Sequence, residues 1–259
     1  MNPDQKLAAL LKEYTPARDC LAGRTILITG AADGIGRAVA KRLAGHQATV
    51  ILLDRNVPRL ETIYDEIEAS GAPQPAIYPL NLEGATQADY RELAATIRKK
   101  LGQLHGVIHN AAHFTGLTAI EHFDYETWLK TLQVNLNAPF LLTQVTLPML
   151  REVDAGAILF TSCNIVHSQA AYWGAYGVSK YAIEGFARIL HEEVEANTTI
   201  RVNLLDPGPV RSHLRSLAYP AEDAEKLPVP EAITTPYVLL MDPALPAVRG
   251  QRFALEEEA

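Results

Sequence analysis

Six short apolar runs, separated by amphipathic stretches of helix length, leave this chain little choice of fold. The runs are Arg24-Thr-Ile-Leu-Ile-Thr29, Thr49-Val-Ile-Leu-Leu53, Ala76-Ile-Tyr-Pro-Leu80, Gly106-Val-Ile-His109, Ala157-Ile-Leu-Phe-Thr161 and Ile200-Arg-Val-Asn-Leu-Leu205. The last two have the continuous apolar character of strands covered on both faces. Between the runs, Gly36 to Ala44, Val57 to Ala69, Thr86 to Leu101, Tyr125 to Arg151 and Ala175 to Glu195 carry apolar residues at three- and four-residue spacing, which predicts helices with one core-facing stripe. Alternation of this kind predicts one α/β domain, a doubly wound parallel sheet with helices on both faces. At 259 residues and 48% hydrophobic content the chain is long enough to bury such a core.

The outlying segments read differently. Residues 1–22 form a polar N-terminal extension with a short amphipathic helix expected over Gln5 to Tyr14, and residues 23–259 form the domain. The stretch Ser216 to Pro236 is rich in proline and charge, and a long irregular segment after the last interior strand predicts a lid at about 213–236. Twenty-three lysines and arginines against 30 aspartates and glutamates give a net charge of −7, which argues against nucleic acid as a partner and for a small molecule. Cys20 and Cys163 are the two cysteines. They make no disulfide framework, and no His/Cys grouping has metal-ligand spacing, so no metal is expected. No run is long enough to span a membrane and no secretory leader is evident, so a soluble cytoplasmic protein is expected.

The first strand runs into Thr29-Gly30-Ala-Ala-Asp33-Gly34-Ile35-Gly36 and then a helix. Glycines there let the backbone turn sharply and approach a pyrophosphate, whose charge meets free amides at the helix N-terminus. The second strand ends in Asp54, 18 residues after Gly36, where an acid binds the adenosine ribose hydroxyls of a dinucleotide. That carboxylate repels a 2′-phosphate, and no basic residue lies within the glycine turn, so NAD is expected over NADP. Arg55 is the complication, since its guanidinium has the reach to meet a phosphate. Further along, Tyr176 and Lys180 lie four apart on one helical face. A phenol titrates near pH 10; a neighbouring ammonium lowers that value and makes tyrosine a usable acid or base.

These motifs, in this order, resemble the short-chain dehydrogenases/reductases of the compact single-domain type, across roughly Leu21 to Leu255, and the resemblance implies a Rossmann-type sheet. Thr29-Gly30 with Gly34-Ile35-Gly36 matches the cofactor turn, Asn81-Leu82 the adenine-contacting pair, and His109-Asn110-Ala111-Ala112 the element that supports the sheet beneath the cofactor. Asn135 matches the family's helix asparagine, which the resemblance implies relays a proton from Lys180 through a held water. Pro207-Gly208-Pro209-Val210-Arg211-Ser212 is similar to the segment that wraps the nicotinamide, with Val210 facing the carboxamide and Ser212 in the usual threonine place. The wording around Leu-Phe-Thr-Ser and Trp-Gly-Ala-Tyr is most similar to the bacterial YciK-like group. Cofactor-binding residues implied are thus Gly30, Asp33, Gly34, Ile35, Gly36, Asp54, Arg55, Asn81, Leu82, Asn110, Tyr176, Lys180, Pro207, Gly208, Val210 and Ser212. A homodimer or homotetramer is implied through the Tyr125 to Arg151 and Ala175 to Glu195 helices.

One position departs from the pattern. The family's catalytic serine lies thirteen residues before its tyrosine, and here that residue is Cys163. A thiol is a weaker donor than a hydroxyl. Four readings stand open: Cys163 does the serine's work less efficiently; Ser162 or Asn164 supplies the polar contact; the usual reaction is lost; or Cys163 is a covalent nucleophile activated by His167. The leading expectation is an oxidoreductase interconverting an alcohol and a carbonyl by hydride transfer, with Asn135, Cys163, Tyr176 and Lys180 catalytic and the substrate near His113, Phe114 and Tyr172. The alternative is a dinucleotide-binding sensor or interaction protein. A hydrolase is argued against by the lack of a Gly-x-Ser-x-Gly elbow.

Overall fold

The computed structural model describes residues 9–11, 13–168, 171–245 and 247–255. The expected strands form as β1 (Thr25–Thr29), β2 (Thr49–Asp54), β3 (Ala76–Pro79), β4 (Gly106–His109), β5 (Ala157–Thr161) and β6 (Arg201–Asp206), and Arg252–Ala254 adds β7. All neighbours pair in parallel in the order β3-β2-β1-β4-β5-β6-β7. The strand order reverses between β1 and β4, which opens a crevice at their C-terminal ends.

Alternate residues of each strand point to opposite faces, and the two faces bury separate cores. Ile26, Ile28, Val50 and Leu52 pack under helices α1 (Gly34–Gly45) and α2 (Val57–Ala69). Leu27, Ile51, Leu53 and Val107 pack on the other side, under α3 (Gln87–Leu101) and the helical stretch after Tyr125. That stretch was expected as one helix. It is α4 (Tyr125–Leu132), one π turn at Gln133–Asn137, then α5 (Ala138–Leu150). Pro139 has no N–H to give Asn135 the regular bond, and the helix widens there.

After β5 come the single turn α6 (Ile165–Ser168) and the long α7 (Gly174–Glu195); after β6 come α8 (His213–Ala218) and α9 (Thr235–Met241). The segment expected to be irregular, 216–236, is therefore largely built of short helical turns. Ser212 caps α8 by accepting from the Arg215 amide, Asp223 caps a 3-10 turn at Ala224–Lys226, and Pro230 and Pro236 sit in the first turns that follow. Of the helix expected over Gln5 to Tyr14, residues 9–11 and 13 are helical, and 5–8 and 12 lie outside the described residues. Leu10 and Leu11 lie against the core, and Tyr14 donates to Asp242 at 2.8 Å.

His109, on β4, is buried, stacks on Phe160 at 4.6 Å, and meets Thr143 with Nε2 while Nδ1 has no partner. Burial drives its pKa down to about 3. The folded state therefore binds this proton less readily than the unfolded chain. The stabilising difference is fully present above about pH 6.5 and is lost as pH falls below it, by about 1.4 kcal/mol per unit. His109→Asn is expected to remove this component. Urea unfolding at pH 6.5 and pH 4.5 should show wild type losing about 2–3 kcal/mol more than the variant; equal losses would sink the account.

Candidate functional site

The glycine turn is shaped by close approach. A Cβ on Gly36 would stand 2.0 Å from the Gly30 carbonyl oxygen, and one on Gly30 would stand 2.9 Å from Ala111 Cα, with φ already +69°. Gly34, at φ +49°, faces open space. That is the geometry of a backbone that admits a phosphate and tolerates no side chain toward it. Asp33 caps α1 through the Gly34 amide at 2.8 Å. Beneath the turn, Thr29 Oγ1 accepts from the amides of Asn110 and Ala111, and Asn110 Nδ2 donates to the Thr29 carbonyl, tying β1 to the end of β4.

Two hollows flank this turn. One is lined by Asp54, Arg55, Arg59, Asn81, Leu82 and Glu83, the size and place for an adenosine. Asp54 accepts from the amides of Asn56 at 3.0 Å and Ala32 at 3.4 Å, which fixes it at the end of β2 beside the turn. Arg55 is bound to Glu83 at 2.5 Å and Arg59 to Asp33 at 2.6 Å. His113, expected near the substrate, lies in this hollow, 3.9 Å from Glu83. Tyr172, also expected there, is largely exposed and does not line the second hollow.

The second hollow, about 340 Å³, brings together Gly30, Ile35, Asn110, Cys163, Tyr176 and Lys180, with Pro207, Gly208, Val210 and Ser212 on its far wall. Fifteen of the sixteen candidate cofactor residues line one hollow or the other; Gly36 lies beneath them, against Gly30. Residues that fit a dinucleotide along its whole length are thus in place: an acid for the ribose, an open glycine turn for the pyrophosphate, and Val210 and Lys180 for the nicotinamide end.

Tyr176 and Lys180 stand on one face of α7, with the ammonium 5.5 Å from the phenol ring centre. Lys180 Nζ donates to the Thr161 carbonyl at 2.7 Å. The Tyr176 hydroxyl meets the Cys163 thiol. The expectation that lysine lowers the phenol's pKa does not hold for the protein alone. Burial, then the proximity of Cys163 and Asp206, push the phenol well above its ordinary value, and burial lowers Lys180. Both groups are sealed from water and the ammonium is turned to a carbonyl, so desolvation decides.

Cys163 occupies the place counted for the serine, beside Tyr176. Burial raises its thiol pKa, the opposite of an activated nucleophile. His167 faces Glu184 instead, at 3.8 Å. Ser162 is also committed elsewhere: its hydroxyl donates to buried Glu184 at 2.5 Å. Asn164 is exposed and lines the hollow. Asn135, in the π turn, uses both side-chain N–H groups, donating to the His113 carbonyl and to Ser179 Oγ, and accepts from the His113 amide at 2.7 Å, which leaves its oxygen one acceptor site.

Two features were not found in the sequence. One is an aromatic wall formed by Phe114, Trp173 and Tyr219 around Tyr176. The other is a buried network in which Arg252 joins Glu184 at 2.9 Å and Asp206 at 3.0 Å. The Glu184-to-Lys180 spacing on α7 was a signal for the second, since four residues put the carboxylate one turn below the lysine.

Among the described residues no helix is long and apolar enough to cross a membrane. The model of the short chain dehydrogenase family matches residues 24–223. The chain is 40% identical over 228 residues to the oxidoreductase YciK of Escherichia coli K12, covering 88% of this chain and 90% of that one. It superposes with a TM-score of 0.90 on a short chain dehydrogenase of Salmonella enterica serovar Typhi, at 39% identity over 93% of this chain and 99% of that one. A chain of E. coli CFT073 solved with NADPH gives a TM-score of 0.89 at 39% identity, covering 92% and 99%. The protein belongs to the short-chain dehydrogenase/reductase family and is an oxidoreductase of the class that acts on CH–OH groups with a nicotinamide dinucleotide.

Proposed function

We propose that the protein interconverts a secondary alcohol and a carbonyl by hydride transfer, with Tyr176 as the proton-carrying residue. The observation that supports this most is that Tyr176, Cys163 and Lys180 line one hollow, with the lysine ammonium 5.5 Å from the phenol ring centre. The nicotinamide dinucleotide supplies or accepts the hydride when bound. Tyr176 gives its proton to the carbonyl oxygen; Lys180, held by Thr161, faces the nicotinamide ribose; Cys163 orients the carbonyl in the serine's place. Asn135, packed on Ser179 and the His113 backbone, holds the water that relays the proton from Lys180 toward solvent. The test is oxidation of NADH by a carbonyl panel, with Cys163→Ser alongside. A hydroxyl is the stronger donor, so the variant should gain about tenfold in kcat/KM. No oxidation by any carbonyl, with none restored by the serine, would favour a binding protein without turnover.

The reading includes NAD as the preferred coenzyme. Asp54, Asp33 and Glu83 set three carboxylates around the adenosine hollow against Arg55 and Arg59, each already paired. A 2′-phosphate meets excess negative charge there. The NADPH of the E. coli relative is a property of that chain. NADH is expected to be preferred over NADPH by about tenfold or more in kcat/KM, and Asp54→Ala to shrink that ratio; a wild-type preference for NADPH would overturn the assignment. Homo-oligomerisation is inferred from exposed apolar residues on α4, α5 and α7, among them Tyr125, Phe140, Tyr181 and Ile189. Sedimentation of the intact chain should return a dimer or tetramer mass, and a monomer would overturn it.

A further inference from the structure

We propose that the outer half of the second hollow takes an uncharged carbonyl or alcohol carried on an apolar ring skeleton. This rests on the oxidoreductase reading above and names the substrate class it leaves open. Phe114 stacks on Trp173 at 5.2 Å and meets the Tyr176 ring edge-on at 5.1 Å, and Trp173 lies 5.6 Å from Tyr176 and 6.1 Å from Tyr219. Trp173 and Tyr176, with Phe114 packed against them, join Ile165 and Ala218 in an apolar cluster of their own, separate from the two cores that hold the sheet. The wall beside the reactive hydroxyl is therefore aromatic on several sides. Such a wall favours a flat ring that can stack or meet it edge-on.

The charges around this wall are all spoken for. Lys180 donates to the Thr161 carbonyl. Arg215 holds Glu222 with two contacts at 2.6 Å and lies over the Tyr219 ring at 3.9 Å. Asp206 is turned to Arg252 and the Gly208 amide. His213 is exposed and lines the hollow where it opens to solvent. A carboxylate or phosphate entering against the aromatic wall would be desolvated beside a lysine and an arginine that are already engaged, a large penalty. The thiol at Cys163 points the same way, because a weak donor grips the carbonyl poorly and leaves affinity to apolar burial. The hollow's volume of about 340 Å³ also has to receive the nicotinamide end, which limits the skeleton to one or two rings.

The experiment is calorimetric titration of the protein saturated with the oxidised dinucleotide, a state in which a ketone binds without turning over. The ligands are 1-tetralone (uncharged, ringed), phenylglyoxylate (charged, ringed) and 2-butanone (uncharged, ringless). Tetralone is expected to bind about 30-fold or more tightly than either. Trp173→Leu should weaken tetralone about tenfold with the dinucleotide's own affinity unchanged. Tyr219→Leu, at a partly exposed position just after α8 where folding is not at stake, should weaken it several-fold. Phenylglyoxylate or butanone binding as tightly as tetralone, tetralone failing to bind, or neither variant weakening it would overturn the proposal. A separate assay of NADH oxidation by the carbonyl panel, tetralone included, keeps the two readings apart: tetralone binding with no carbonyl oxidising NADH defeats the hydride-transfer reading and leaves the ring-binding hollow standing.

Discussion

Replacing Tyr176 by phenylalanine is expected to lower turnover of a confirmed substrate by about two to four orders of magnitude while leaving dinucleotide affinity within about twofold. The substitution removes one oxygen and keeps a ring that packs between Phe114 and Trp173, so the fold has little reason to change. What is lost is the proton donor. Burial holds the phenol well above its ordinary range, so Tyr176 keeps its proton throughout the neutral range. Carbonyl reduction, which consumes that proton, should then be flat across neutral pH and fall only in alkali. Alcohol oxidation, which needs the proton gone, should rise with pH. Both dependences should vanish in the phenylalanine variant. Steady-state rates in each direction from pH 6 to 10 check this, and a variant that turns over at the wild-type rate would remove tyrosine from the mechanism.

Much of this site is written locally in the chain, and the parts that are not have a common cause. The glycine turn is legible because strand, turn and helix are contiguous, and the close approach of Gly36 to the Gly30 carbonyl is a demand that only one residue type meets. Tyr176 and Lys180 are legible because one helix sets their spacing. Cys163 is placed correctly by counting, yet its chemistry is not local: Tyr176 and Lys180 come from another element, and burial settles the thiol's pKa. The same holds for Ser162, whose neighbour in sequence is Cys163 but whose hydroxyl belongs to Glu184. The phenol's raised pKa is not legible in the sequence, which shows the adjacent lysine but not the burial that outweighs it. His113 went to the wrong hollow for a geometric reason. Its amide and carbonyl are both held by Asn135, and the side chain is left pointing to Glu83. Segment 216–236 looks irregular in the sequence because its helical turns are shorter than the length at which periodicity shows.

The least local feature of all gives the second large effect. Arg252 comes from the last strand, Glu184 from α7 and Asp206 from the end of β6, and their side chains are only 15%, 3% and 4% exposed. Arg252→Met leaves two buried carboxylates facing each other without their guanidinium, and breaking a buried pair in this way costs about 3–5 kcal/mol. The remaining contacts, Ser162, His167 and the largely exposed Arg188 on Glu184 and the Gly208 amide on Asp206, are too few to offset two desolvated charges. The pH dependence has a definite sign. Burial already raises Asp206 with the arginine present, so without it the folded variant binds protons more readily than the unfolded chain. Its stability must then rise as pH falls toward those raised values, the reverse of an ordinary salt-bridged acid. The deficit against wild type should be largest near pH 8 and shrink by pH 5.5 in urea unfolding. A deficit that stays constant, or grows on acidification, would mean that the arginine contributes packing rather than charge at the joint where the final strand closes the sheet beneath the catalytic residues.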